Sequence, residues 1–156
     1  MNENELFFRT IQSGNVENIG FQLDKNPNLA NIKDGRGFTP LIFATYFGQP
    51  DIAKLLIERG ADVNAQDASG NTALIGVSFK GNKDLVDLLL DSNAEVDIQN
   101  KNGTTALIFA TQYNQKAIVE TLLNHKANTS IKDNEGKIAL DYAKEKGFEA
   151  IAALLK

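Results

Sequence analysis

The chain of 156 residues has no cysteine, no tryptophan, one methionine and one histidine. Without cysteine there is neither a disulfide framework nor a thiolate zinc site. A lone histidine, His125, cannot build a typical zinc site, and no nucleophile or partner base is placed beside it by the pattern. No apolar run reaches the roughly 18 residues that suggest a membrane span. The opening "MNENELFFRTIQ" is acidic and lacks a basic stretch followed by an apolar core, so no secretory signal is read and the expected location is cytoplasmic, with no membrane partner. An excess of positive charge is also missing. The net charge is −4 and the pI about 5.0, which argues against a nucleic-acid partner, because such proteins show a basic stripe. The Asn-, Lys- and Ile-rich wording points to an AT-rich, bacterial source.

What the chain does have is repetition. "TPLIFA" begins at Thr39, "TALIGV" at Thr72 and "TALIFA" at Thr105, at intervals of 33 residues. Gly37, Gly70, Gly103 and Gly136 keep the same interval, as do Leu56, Leu89, Leu122 and Leu155. Asp34, Asp67, Asn100 and Asp133 form a further series. A fixed period of this size outranks any local motif in deciding the fold.

One unit, "DGRGFTPLIFATYFGQPDIAKLLIERGADVNAQ" over 34–66, shows how the period becomes structure. "DGRG" is turn chemistry: Asp bonds backbone amides ahead of it and Gly accepts positive φ. Thr39 offers its hydroxyl to the free amides of a helix, and Pro40 suits the first helical position. A short helix carrying Leu41 and Ala44 ends near Gly48. A second helix follows with Ile52, Leu55, Leu56 and Ile57 at burial spacing. Gly60 reads as a left-handed terminator, and "ADVNAQ" leads to the next turn. Such a unit cannot bury its own apolar faces and must stack on neighbours. The small residues Ala44, Val77, Ala110 and Ala143 would allow close approach of the first helices.

The phrase "TPLIFA" with the trailing "GADVN" resembles the ankyrin repeat. The resemblance implies an all-α solenoid of five stacked helix-turn-helix units with short β-turn or hairpin loops, forming a single domain over 1–156. Residues 34–66, 67–99 and 100–132 match as full repeats. Residues 133–156 resemble a truncated closing repeat, and 1–33 a degenerate opening one, with "SGNVENIGFQL" standing for the first-helix end and the second helix. The departures are specific. The histidine usual after "TPL" is replaced by Ile42, Ile75 and Ile108, and by Asp141 in the last unit, so the loops are expected to rely more on packing. Ile138 replaces the capping threonine, while Asp141 falls in the first turn, where a carboxylate suits the helix dipole. Asn93 and Lys126 stand where Gly60 stands, and Lys in a left-handed conformation costs about 1 kcal/mol.

Nothing here points to catalysis. "GNVENIG" at 14–20 follows a helix, not a strand, and so fails as a dinucleotide fingerprint. Asp84 and Asp87 share one helix face and read as solvated. The chain is therefore expected to be no enzyme, with no catalytic, cofactor-binding or metal-binding residues.

The resemblance implies a protein-interaction module that meets an unidentified partner protein on its concave side, through turn tips and first-helix ends. On this chain those positions are Arg36, Phe38, Tyr46 and Phe47; Ser69, Asn71, Phe79 and Lys80; Lys101, Asn102, Thr104, Gln112 and Tyr113; and Glu135 and Lys137. Aromatics occupy them in all three full units. If the repeats stack in register, Tyr46, Phe79 and Tyr113 form a nearly continuous strip, whereas Phe43, Phe109 and Tyr142 belong to the packing layer. The chain is expected to be monomeric. The alternatives are a structural or self-assembling element and, behind that, a small-ligand or enzymatic protein.

Overall fold

The computed structural model describes residues 1–156 and contains ten α-helices and no β-strand. They are α1 Glu3–Ser13, α2 Val16–Lys25, α3 Pro40–Tyr46, α4 Pro50–Glu58, α5 Ala73–Lys80, α6 Lys83–Asp91, α7 Ala106–Gln112, α8 Lys116–Asn124, α9 Ala139–Lys146 and α10 Glu149–Leu155. A short 3-10 turn, Pro27–Asn31, follows α2. No helix is long and apolar enough to cross a membrane.

The helices form two rows. The first helices pack in the order α1, α3, α5, α7, α9, and the second helices in the order α2, α4, α6, α8, α10. Ala44, Val77, Ala110 and Ala143 are wholly buried in the first row, where their small size lets successive helices close up. Leu56, Leu89 and Leu122 are wholly buried in the second. Burial of each such leucine contributes about 1.5–3 kcal/mol, and the buried side chains form one continuous core from Phe7 to Leu155.

The first helices begin as their threonines dictate. The hydroxyls of Thr39, Thr72 and Thr105 accept from Ile42, Ile75 and Ile108 N–H at 3.1, 3.2 and 3.2 Å. Ile138 has no such oxygen; there the Asp141 carboxylate reaches back to the Ile138 N–H at 2.9 Å, half of a capping box. Asn93 and Lys126 take φ 68° and 65°, beside Gly60 at 90°.

Each turn is organised by one side chain. Asp67 Oδ1 accepts from Ser69 and Asn71 N–H at 2.8 and 2.9 Å. Asp34, Asn100 and Asp133 make the equivalent pairs. Adjacent turns are joined by single backbone bonds, from Ala68 N–H to Arg36 C=O (3.0 Å), Lys101 N–H to Ser69 C=O (3.0 Å) and Asn134 N–H to Asn102 C=O (2.9 Å). One bond per junction leaves hairpin-like turns rather than a sheet.

The loops do more than rely on packing in place of the missing histidine. Amide side chains also tie them. Gln66 Nε2 donates to Gly70 and Gln99 C=O at 2.7 and 3.2 Å, and Gln99 Nε2 repeats this to Gly103 and Lys132 C=O at 2.8 and 3.0 Å. A second ladder runs through Asn31, Asn64 and Asp97, whose Oδ1 atoms accept from Asp62, Glu95 and Asn128 N–H at 2.8, 2.8 and 2.9 Å.

Candidate functional site

The turns and the ends of the first helices line one face, and the exposed aromatic residues of that face fall into two groups. Phe79 and Tyr113 meet edge to face at 4.5 Å, with Phe109 at 6.0 Å from Phe79. Tyr46 packs with Phe38 at 6.0 Å and with Phe47 at 5.2 Å. No ring contact joins Tyr46 to Phe79. The strip expected along Tyr46, Phe79 and Tyr113 is therefore interrupted. Tyr113 follows Phe79 by 34 residues rather than 33, which places it in register with Phe47 and Lys80.

Between the two groups lies a groove of about 240 Å³, lined by Phe38, Ile42, Tyr46, Ile75, Gly76, Phe79 and Phe109, with Asp67 and Asn71 at its polar edge. Tyr46, Phe47, Phe79 and Tyr113 remain 42, 41, 39 and 51% exposed. These fractions are high for rings of this size.

The charged residues are held in place. Arg36 pairs with Asp34 at 2.9 Å and lies over the Phe38 ring at 4.3 Å. Burial alone would raise the Asp34 pKa; the bonds from the Arg36 side chain and from the Arg36 and Phe38 amides outweigh it and hold the carboxyl below its ordinary value of 3.8. Lys80 Nζ donates to Tyr46 C=O at 2.7 Å and stands 3.8 Å from the centre of that ring. Lys137 pairs with Glu145 at 3.0 Å. Lys80, Lys101 and Lys146 make no ion pair.

Of the sequence-chosen positions, Ser69, Lys101, Asn102 and Glu135 are exposed on the turns, and Asn71, Gln112 and Lys137 are half-buried. Thr104 departs from expectation. It is 6% exposed, and its N–H is taken by Asn100 Oδ1 at 3.0 Å. Phe43 and Tyr142 are buried, as members of a packing layer should be, whereas Phe109 is half-buried and reaches the groove. Gly76 was not singled out from the sequence. The signal was the column Phe43, Gly76, Phe109, Tyr142, in which one ring is missing.

Elsewhere the polar groups have structural duties. His125 ends α8, its Nδ1 3.0 Å from Thr121 C=O. Lys83 and Asp87 pair along one helix at 2.8 Å. The Tyr142 hydroxyl donates to Asp133 Oδ2, with Glu135 Oε2 3.1 Å away. Burial first, then these carboxylates, keep the phenol protonated well above its ordinary value of 10.0. No three His, Cys, Asp or Glu side chains converge as a metal site would require.

Helix pairs stacked at a constant period, with turns and aromatic residues presented along one face, define a helical-repeat protein. Residues 6–97 and 74–156 both match the family described as "Ankyrin repeats (3 copies)", and the chain belongs to that family. It is 45% identical over 49 residues (31% of the chain) to "DNA-binding protein RFXANK" of Homo sapiens. It is also 40% identical over 57 residues (36% of the chain) to "Ankyrin repeat and SAM domain-containing protein 6" of Rattus norvegicus. These matches span only 19% and 6% of the two relatives. Ankyrin repeats are in general protein-interaction modules rather than enzymes.

Proposed function

We propose that the chain is a non-enzymatic, monomeric module that binds a partner protein through the face of turn tips and first helices. The observation that carries this reading is the gathering of Tyr46, Phe47, Phe79 and Tyr113 on that one face, each substantially exposed. Aromatic residues grouped in this way are the usual anchors of binding hot spots. Arg36, Ser69, Asn71, Lys80, Lys101, Asn102, Gln112, Glu135 and Lys137 supply the polar rim. The net charge of −4 supports a protein rather than a nucleic-acid partner, and the DNA binding named for one relative is not carried over.

The test compares capture of partners from native lysate by the intact chain and by the Tyr46→Ala/Phe79→Ala/Tyr113→Ala variant. Loss of a captured protein with the melting temperature lowered by no more than about 2–8 °C supports the reading. Retention of every captured protein overturns it. Sedimentation of the free chain checks the monomer.

A further inference from the structure

Resting on that proposed face, we infer that the groove at Gly76 is a receptor for a single tyrosine side chain of the partner, flanked there by acidic residues. The chain itself shows what the groove lacks. Phe43, Phe109 and Tyr142 occupy one register position of α3, α7 and α9, and Gly76 leaves that position of α5 without a ring. A Cβ at Gly76 would meet nothing within 4 Å, so the space is open rather than filled by a neighbour. Its volume, about 240 Å³, lies under the roughly 300–1,000 Å³ of small-molecule sites. It exceeds the roughly 150 Å³ cavity known to take up benzene. One aromatic ring fits.

The hydroxyl is specified by the turn. In the last unit Tyr142 fills its column and its hydroxyl donates to Asp133 Oδ2. Asp67 stands in the Asp133 position of the unit that lacks its ring. Asp34 Oδ2 is occupied by Arg36 at 2.9 Å, and Asn100 Nδ2 donates to Asn71 Oδ1 at 2.9 Å. Asp67 uses only Oδ1, for Ser69 and Asn71 N–H, and Oδ2 has no partner within the protein. Among the units of α3, α5, α7 and α9, the one turn whose carboxylate has an oxygen free of protein partners thus belongs to the one whose first helix carries glycine in the aromatic column. A guest tyrosine taking the place Tyr142 takes would lie among Phe38, Tyr46 and Phe79 and donate a hydrogen bond to Asp67 Oδ2. Lys80, over the Tyr46 ring that lines the groove, and Lys101, on the turn bonded to Ser69, have no carboxylate partner, so acidic residues beside the guest tyrosine are matched by charge.

The probes are three capped tripeptides, acetyl-Glu-Tyr-Glu-amide, acetyl-Glu-Phe-Glu-amide and acetyl-Lys-Tyr-Lys-amide, titrated into the full chain while the amide resonances of Gly76 and Asp67 are followed. A hydrogen bond to a charged acceptor predicts a preference for tyrosine over phenylalanine of about tenfold, and the acidic tyrosine peptide should bind better than the basic one. Gly76→Tyr supplies the ring internally and should abolish the shifts. Asp67→Asn, whose turn geometry Asn100 already demonstrates, should reduce the tyrosine preference several-fold and remains informative should Gly76→Tyr misfold. Equal affinity for the tyrosine and phenylalanine peptides, a preference for the basic one, unaltered binding by Gly76→Tyr, or no shift at Gly76 overturns the inference. If Gly76→Tyr keeps a captured partner that the Tyr46/Phe79/Tyr113 variant loses, the groove is wrong while the binding face stands.

Discussion

Two glycines ten residues apart allow the junction between turns to be weighed against backbone strain alone. Gly60 and Gly70 have φ of 90° and 81°, so alanine at either must adopt a left-handed conformation at about 1–2 kcal/mol. Any gain from a stiffer unfolded chain is common to both and cancels in the comparison. Their surroundings differ. A Cβ on Gly60 meets nothing, whereas one on Gly70 would stand 2.8 Å from Lys101 N and 3.0 Å from Asn100 Cα. Those atoms are backbone and cannot rotate away. The nearby bond from Lys101 N–H to Ser69 C=O, 3.0 Å long, must lengthen, at about 0.5–1.5 kcal/mol. Overpacking of a closed junction adds about 1–3 kcal/mol. Gly70→Ala should therefore cost about 2 kcal/mol or more beyond Gly60→Ala. Urea titrations followed by circular dichroism, with m unchanged, measure the difference. Equal losses at the two sites would refute the claim that close approach of successive turns holds the stack together.

Three further outcomes follow from the same structure. Leu89→Ala, in the centre of the stack, should cost about 2–5 kcal/mol in denaturant titrations, and Leu155→Ala less, because α10 has second-helix contact on one side only. Alanine at Tyr46, Phe79 and Tyr113 should cost no more than about 1–2 kcal/mol, chiefly the Phe79–Tyr113 pair, and a larger drop in a thermal melt would mark these rings as structural. Asp133 is held below its ordinary 3.8: burial alone raises it, but bonds from Tyr142, Lys137 and Glu135 outweigh that. A depressed carboxylate stabilises the fold fully above pH 3.8 and loses that contribution as pH falls through its lower folded value. Tyr142→Phe should therefore flatten the acid limb of the stability profile, and an unchanged limb would show that Tyr142 does not set it.

The period made much of the fold legible, since Thr39, Thr72 and Thr105 mark helix starts by a local rule that needs no knowledge of neighbours. The same rule read Asn93 and Lys126 as left-handed where Gly60 is. What escaped were features created by contact between units. Gln66 and Gln99 look like ordinary polar loop residues until the next loop lies within reach of their amides. Thr104 reads as a turn tip, yet stacking buries it. Gly76 hides inside the phrase "TALIGV" as a tolerated helix glycine; only packing turns it into a groove. Tyr113 needed the counting of one residue to leave the column of Tyr46.

The side-chain ladders between loops have a mechanical consequence. Their bonds link residues 31–33 positions apart, so none braces one end of the chain against the other. Pulled by its ends, the molecule should behave as a series of springs, the three full units nearly alike and the two end units weaker. A full unit that gives way releases its 33 residues, about 110–120 Å of extended chain, while units farther along remain folded and still bear load. Its extension under force would come in even strides rather than a single rupture.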